Sequence, residues 1–176
     1  MVAIPAGGMD EEPATARRGS AEEPQERVFL VLVDDSEEMA NALRFACRRA
    51  QHTHGRVALL YVIEPVEFQH WLGVGRIMEE DARAAAEQRL QALANRVFEQ
   101  TGTMPAVHIR EGSRAEELVK LVNEDRSISL VVLATASGSS NPGPVVSYLL
   151  ANLRRLPIPV TLVPGELTPE QIDRVT

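Results

Sequence analysis

The chain has 176 residues, of which 44% are hydrophobic and 24% charged, a balance typical of one globular domain with a buried core. Its formal net charge of −7 disfavours general binding to nucleic acid or anionic membranes, and no apolar run approaches the roughly 20 residues of a membrane helix. One cysteine and four histidines exclude an internal disulfide and disfavour a zinc cluster, so we expect a cytoplasmic protein without a metal site.

Composition divides the chain into three parts. Residues 1–26 are rich in Gly, Pro, Ala, Glu and Arg without an apolar period, which predicts a flexible N-terminal tail. Residues 27–165 show regular apolar patterning and are expected to form one domain. Residues 166–176 are polar and are expected to form a C-terminal tail with room for a turn of helix.

The first half of the domain predicts strand, helix and strand. The apolar, β-branched run 28–33 is typical of a strand buried on both faces. Asp35 and Glu38, three residues apart, predict a capping box at a helix start, and Gly55 marks the end of that helix. Residues 57–63 form a second apolar run and predict the second strand.

The same alternation continues to the end of the domain. The further predicted elements are a helix over 77–100, a strand over 106–109, a helix from Ser113, a strand over 129–133, a helix begun by Asn141 and Pro142, and a strand over 159–163. Five alternations of strand and helix predict an α/β fold, a single open five-stranded parallel sheet with helices on both faces. Ligands in such folds bind at the carboxyl ends of the strands, where the winding direction changes.

Two acidic residues, Asp34 and Asp35, directly follow the first predicted strand. A phosphorylated receiver domain would also need an Asp after the third strand and a suitably placed Lys, but Lys120 is the only lysine and lies within a predicted helix. Asp35 is explained by helix capping. Asp34 could accept hydrogen bonds from an adenine amino group or a ribose hydroxyl, or could lack a ligand role.

The segment 134–143 (ATASGSSNPG) follows the fourth predicted strand and is rich in small residues. Small side chains allow a ligand to approach the backbone, and the helix that follows offers unpaired N–H groups to a phosphate. The alternative is an ordinary polar loop between strand and helix, which the residues alone slightly favour. The sequence GxxxxGK[ST] does not occur, which excludes the P-loop class, and Ser147 has no recognisable triad partner.

In combination, these segments resemble the universal stress protein family. The resemblance covers residues 27–164 in the expected order and rests on 31–37 (VLVDDSE), 59–63 (LLYVI), 111–113 (EGS) and 130–163 with its proline-flanked final strand. It implies a Rossmann-like domain that is commonly a homodimer through the final strand. Some members bind ATP, with the phosphates on a loop of pattern G-x2-G-x9-G-[ST].

Carried onto this chain, the resemblance implies a nucleotide site with Asp34 at the adenosine end. The implied site residues are Asp34, Val62, Leu133, Ala134, Ser137, Gly138, Ser139 and Ser147.

The glycine pattern, however, is altered. Ala134 stands at the first glycine, Ser137 or Gly138 at the second, and Val146 at the third, where its side chain would obstruct the usual phosphate position. Gly143 could supply a relocated close approach.

The expected function is that of a small stress-response binding module without catalytic residues, with ATP or another adenine nucleotide as its ligand. The alternative is a dimeric interaction protein of the same fold that binds no nucleotide. A nucleotide-cleaving enzyme is the third hypothesis, which the missing catalytic groups disfavour.

Overall fold

The computed structural model describes residues 26–65, 72–136 and 142–176, with the backbone alone for 72–79. In chain order its elements are β1 (Val28–Val33), α1 (Met39–Thr53), β2 (Arg56–Ile63), α2 (Leu72–Thr101), β3 (Ala106–Glu111), α3 (Arg114–Glu124), β4 (Ile128–Thr135), α4 (Pro144–Ala151), a short 3-10 helix (Leu153–Arg155), β5 (Val160–Pro164) and α5 (Pro169–Val175). The strands form one parallel sheet in the order β3-β2-β1-β4-β5. The predicted fold class is therefore confirmed.

Strand β1 lies at the centre of the sheet, and all six of its residues are buried. Alternate side chains enter two apolar clusters because successive residues of a strand face opposite sides. Phe29 and Val31 pack with α1 and α2 on one face, whereas Leu30 and Leu32 pack with α3 and α4 on the other. Burial of each such side chain stabilises the fold by roughly 1.5–3 kcal/mol, which explains why this run has no polar residue.

Two helices begin later than their capping signals predict. Helix α1 starts at Met39, its N-cap Glu38 makes no side-chain cap hydrogen bond, and Asp35 instead pairs with Arg89 of α2. Helix α4 starts at Pro144 rather than at Pro142, after Gly143 with φ +91°. That positive φ disfavours residues with a Cβ and turns the backbone immediately before the helix. The predicted cap Asn141 lies outside the described residues.

The C-terminal residues form α5, which packs on α1. A capping box between Thr168 and Gln171 starts this helix, and Ile172 is completely buried. The carboxylate of Asp173 accepts hydrogen bonds from Arg44 and Arg48 of α1, with closest N–O distances of 2.6 and 3.0 Å. The polar C-terminal segment is thus anchored to the domain by apolar packing and by a charged cluster, among other contacts with α1.

The strand order places the change of winding direction between β1 and β4. Helices α1 and α2 cover one face and α3 and α4 the other, so the loops after β1 and β4 diverge and leave a crevice at their carboxyl ends. Across the described ranges, no helix combines the length and apolar character of a membrane span, and no group of three or more His, Cys, Asp or Glu side chains could hold a metal ion.

Candidate functional site

A cleft of about 150 Å³ occupies this crevice. One side is formed by the end of β1 and the loop after it, the floor by the end of β4, and the other side by the start of α4, with one side chain from α3 at the rim. The described lining residues are Leu32, Asp34, Ser36, Glu38, Arg114, Leu133, Ala134, Ala136, Pro142, Gly143, Pro144, Val145 and Val146.

Asp34 lies at the carboxyl end of the central strand with its side chain held in a fixed orientation. The backbone N–H of Ser36 donates to Asp34 Oδ1 over 3.0 Å, and the Ser36 hydroxyl donates to the same atom over 2.6 Å. Among the described residues both bonds fall on Oδ1. The lone pairs of Oδ2 are therefore available to a hydroxyl or amino group of a ligand.

Arg89 of α2 holds the loop that carries Asp34. Its Nη2 donates to the backbone carbonyl of Asp34 over 2.9 Å, and its Nη1 contacts Asp35 Oδ1. One guanidinium group thus binds two successive residues of the loop. The Asp34 backbone is therefore held by α2, a helix distant in sequence.

The start of α4 forms the side of the cleft opposite Asp34. The first hydrogen bond of the helix runs from Ser147 N to Gly143 O over 3.0 Å. The N–H groups of Val145 and Val146 therefore lie before the first hydrogen bond within the helix. The Val146 side chain is buried against Leu149 and the β4 side chains. The backbone in this turn is therefore accessible from the cleft near Gly143, whereas the Val146 position is filled.

The cleft contains charges of both signs. Asp34 and Glu38 contribute carboxylates, and Arg114, the first residue of α3, contributes a guanidinium. Arg114 Nη2 lies 3.3 Å from Oε2 of Glu64, which follows β2. Both side chains of this pair are substantially exposed, so its contribution to stability is small.

Residues 26–164 match the universal stress protein family. The chain belongs to this family. A comparison with curated proteins gives no match.

Solved structures of the family share the fold of this universal stress protein. UspA of Lactobacillus plantarum is 20% identical with a TM-score of 0.64, and the match covers 80% of this chain and 99% of that one. A universal stress protein in complex with cAMP is 18% identical with a TM-score of 0.57 over 80% and 98% of the chains. A universal stress protein of Archaeoglobus fulgidus in complex with dAMP is 15% identical with a TM-score of 0.58 over 79% and 98%.

The structure brings together only part of the site predicted for this universal stress protein. Asp34, Leu133 and Ala134 line the cleft. Val62 is buried in the apolar cluster below it, and Ser147 is exposed in the first turn of α4, one residue beyond the lining. The predicted loop residues Ser137, Gly138 and Ser139 lie outside the described residues.

Three residues near the cleft were not predicted from the sequence. Ser36 orients Asp34, Arg89 holds its loop and Arg114 lines the rim. The sequence does carry a signal for two of them, because Ser36 lies two residues after the aspartate and Arg114 opens a helix just after a strand end. Arg89 has no local signal, since it lies 55 residues from Asp34.

Proposed function

We propose that this universal stress protein is a binding module for an adenine nucleotide, and that the nucleotide occupies the cleft between β1 and β4. The observation that carries the proposal is the carboxylate of Asp34, oriented by Ser36 at the point where the winding direction changes. It is supported by family membership and by relatives of the same fold whose structures contain cAMP and dAMP.

In this proposal each part of the cleft contacts a different part of the nucleotide. Asp34 accepts a hydrogen bond from a ribose hydroxyl, and Leu133 and Ala134 provide a largely apolar floor. At about 150 Å³ the described cleft is smaller than the roughly 300–1,000 Å³ typical of ligand pockets. We therefore place the sugar within it and the phosphates along the start of α4.

The remaining predicted residues have outer roles in the same proposal. Val62 supports the base from below, and Ser137, Gly138, Ser139 and Ser147 donate hydrogen bonds to the phosphates. Because the side chain of Val146 fills its own position, we place the phosphates nearer to Gly143. ATP is one candidate among the adenine nucleotides, and the protein acts on it by binding rather than by cleavage.

The decisive experiment measures nucleotide binding to the full chain and to an Asp34→Ala variant. At about 100 times Kd, AMP or ATP should stabilise the wild-type protein by roughly 2.7 kcal/mol, visible as a rise in Tm. Loss of the charged hydrogen bond should weaken binding in the variant by roughly 1.5–3 kcal/mol. Asp81→Ala, an exposed aspartate on α2, is the matched control and should bind as the wild type does.

Native mass spectrometry of freshly purified protein would identify any retained nucleotide in the same sample. Absence of both a bound species and a thermal shift at millimolar ATP with magnesium would refute nucleotide binding. Steady phosphate release that Asp34→Ala abolishes would instead establish an enzyme.

The second candidate function is that of a dimeric interaction protein, and an apolar groove favours it. Leu150 on α4, Leu153 in the 3-10 helix that follows and Leu162 on β5 are 56%, 58% and 42% exposed and line a groove of about 270 Å³. Since β5 is an edge strand, its outer backbone groups can pair with another strand. We propose that a second copy of the chain covers this face, whether or not nucleotide binds.

We place this module in the cytoplasm, where adenine nucleotides are available to it. Its single cysteine, Cys47, is a free thiol buried in the core. Burial raises the pKa of this thiol to about 11, so it is poorly reactive in the folded protein.

A further inference from the structure

The turn between β3 and α3 brings a basic side chain to the carboxyl edge of the sheet. Gly112 has φ +137°, its N–H donates to the Ile63 carbonyl over 3.0 Å, and α3 begins two residues later at Arg114. A Cβ at Gly112 would lie 3.3 Å from Glu117 Oε1, so both the backbone angle and the available space favour glycine. This turn places Arg114 on the rim of the cleft that contains Asp34.

The charges around the cleft oppose an anionic ligand unless a cation compensates them. Asp34 and Glu38 both line the cleft, and the whole chain carries a net charge of −7. Arg114 is the one positively charged side chain among the described lining residues. A phosphate group that enters beside two carboxylates therefore depends on this guanidinium for favourable electrostatics.

The present partner of Arg114 holds it loosely. Arg114 Nη2 and Glu64 Oε2 are 3.3 Å apart, and the two side chains are 35% and 52% exposed. By comparison, Arg110 Nη2 and Glu124 Oε2 on the same side of the sheet approach to 2.6 Å. Strong charge-assisted hydrogen bonds are about 2.7–2.9 Å long, and a phosphate offers a guanidinium two of them at once. The Arg114 side chain can thus exchange Glu64 for a phosphate without breaking a tight pair.

We infer that Arg114 determines whether the cleft prefers phosphorylated over unphosphorylated adenosine. Its guanidinium leaves Glu64 and binds a phosphate oxygen of the nucleotide, and so provides a phosphate contact in a cleft whose glycine pattern is altered. This inference rests on the proposed function, because it concerns the same cleft, and it names the group that selects the ligand class.

The test compares the Kd values of AMP and adenosine for the full-length wild type and for Arg114→Gln, by isothermal titration calorimetry at low salt. The variant should lose about tenfold or more in affinity for AMP, because a hydrogen bond to a charged group is lost, and should bind adenosine within about twofold of the wild type. Arg126→Gln removes an exposed arginine at the opposite end of the sheet, before β4, and should leave both affinities unchanged.

A third variant tests the exchange of partners. Glu64→Gln removes the negative charge that competes for Arg114, so AMP binding should become about two- to threefold tighter while adenosine binding stays constant. Circular dichroism and Tm establish that each variant is folded.

The outcomes separate this inference from the proposed function. Unchanged AMP affinity in Arg114→Gln, or an equal loss for AMP and adenosine, overturns the role of Arg114 while the cleft remains a nucleotide site. A wild type that binds adenosine but not AMP overturns the role of Arg114 and also the nucleotide as ligand, and makes the cleft a nucleoside site. A wild type that binds neither ligand overturns both proposals.

Discussion

At the scale of single residues, Arg89 is the side chain whose removal should loosen the proposed site without touching the ligand. It donates to the Asp34 carbonyl and contacts the Asp35 carboxylate, so Arg89→Gln should let the loop after β1 move. We expect a loss of about 1 kcal/mol in adenosine binding, roughly fivefold in Kd. Arg96→Gln, an exposed arginine on the same helix, is the control. Equal adenosine affinity in the two variants would show that Arg89 does not position Asp34.

The sequence predicts Asp34 as a site residue because its signal is local. A carboxylate directly after a fully buried parallel strand must emerge at the carboxyl edge of the sheet. Arg89 and Arg114 approach the same edge from α2 and α3, and their positions depend on how those helices pack. The role of Arg89 could not be predicted, because it lies within a helix 55 residues from Asp34. Arg114 does have a local signal, since α3 begins directly after the end of β3.

At the scale of secondary-structure elements, local capping signals do not by themselves determine where a helix begins. Asp35 and Glu38 have the spacing of a capping box, yet Asp35 pairs with Arg89 and α1 begins at Met39. A tertiary ion pair has displaced a local cap. The box between Thr168 and Gln171, by contrast, forms in full at the start of α5, where no distant arginine competes for the Thr168 hydroxyl among the described contacts.

Acid should weaken the attachment of α5 to α1. Hydrogen bonds from Arg44 and then Arg48 hold the pKa of the Asp173 carboxyl at about 2, below its ordinary value of 3.8. A carboxyl whose pKa is lower in the folded state contributes stability above about pH 3.8 and loses it as the pH falls toward 2. The Tm of Asp173→Asn should therefore lie below that of the wild type at pH 6 and approach it near pH 2, as measured by circular dichroism.

Glu99→Gln provides the control for this titration, because Glu99 is an exposed carboxylate on α2 and forms no ion pair among the described contacts. A Tm difference between wild type and Asp173→Asn that stays constant from pH 6 to pH 2 would contradict the assigned role of Asp173.

At the scale of the whole molecule, the sequence predicts the alternation of strands and helices but not the order β3-β2-β1-β4-β5. The apolar runs of β1, β2 and β4 are similar, and any of them could occupy the centre by composition alone. In the structure β1 is buried throughout and lies at the centre of the sheet. The edge strands β3 and β5 carry exposed residues. The order then decides where the crevice forms, and it brings residues from both halves of the chain to one cleft.

The two open edges of the sheet are the two candidate interfaces for the dimer proposed above. Leu162 on β5 is 42% exposed and borders the apolar groove beside α4, whereas Val107 on β3 is 44% exposed at the opposite edge. If β5 forms the dimer, Leu162→Glu buries a charge in an apolar interface and should raise the dimer Kd by about 30-fold or more, a cost of at least ~2 kcal/mol. Val107→Glu changes a residue of similar exposure and should leave the wild-type dimer intact. Analytical ultracentrifugation of the three proteins at equal concentration distinguishes the two edges. Dissociation of the dimer by Val107→Glu alone would place the interface at β3. A monomeric wild type would refute the proposed dimer.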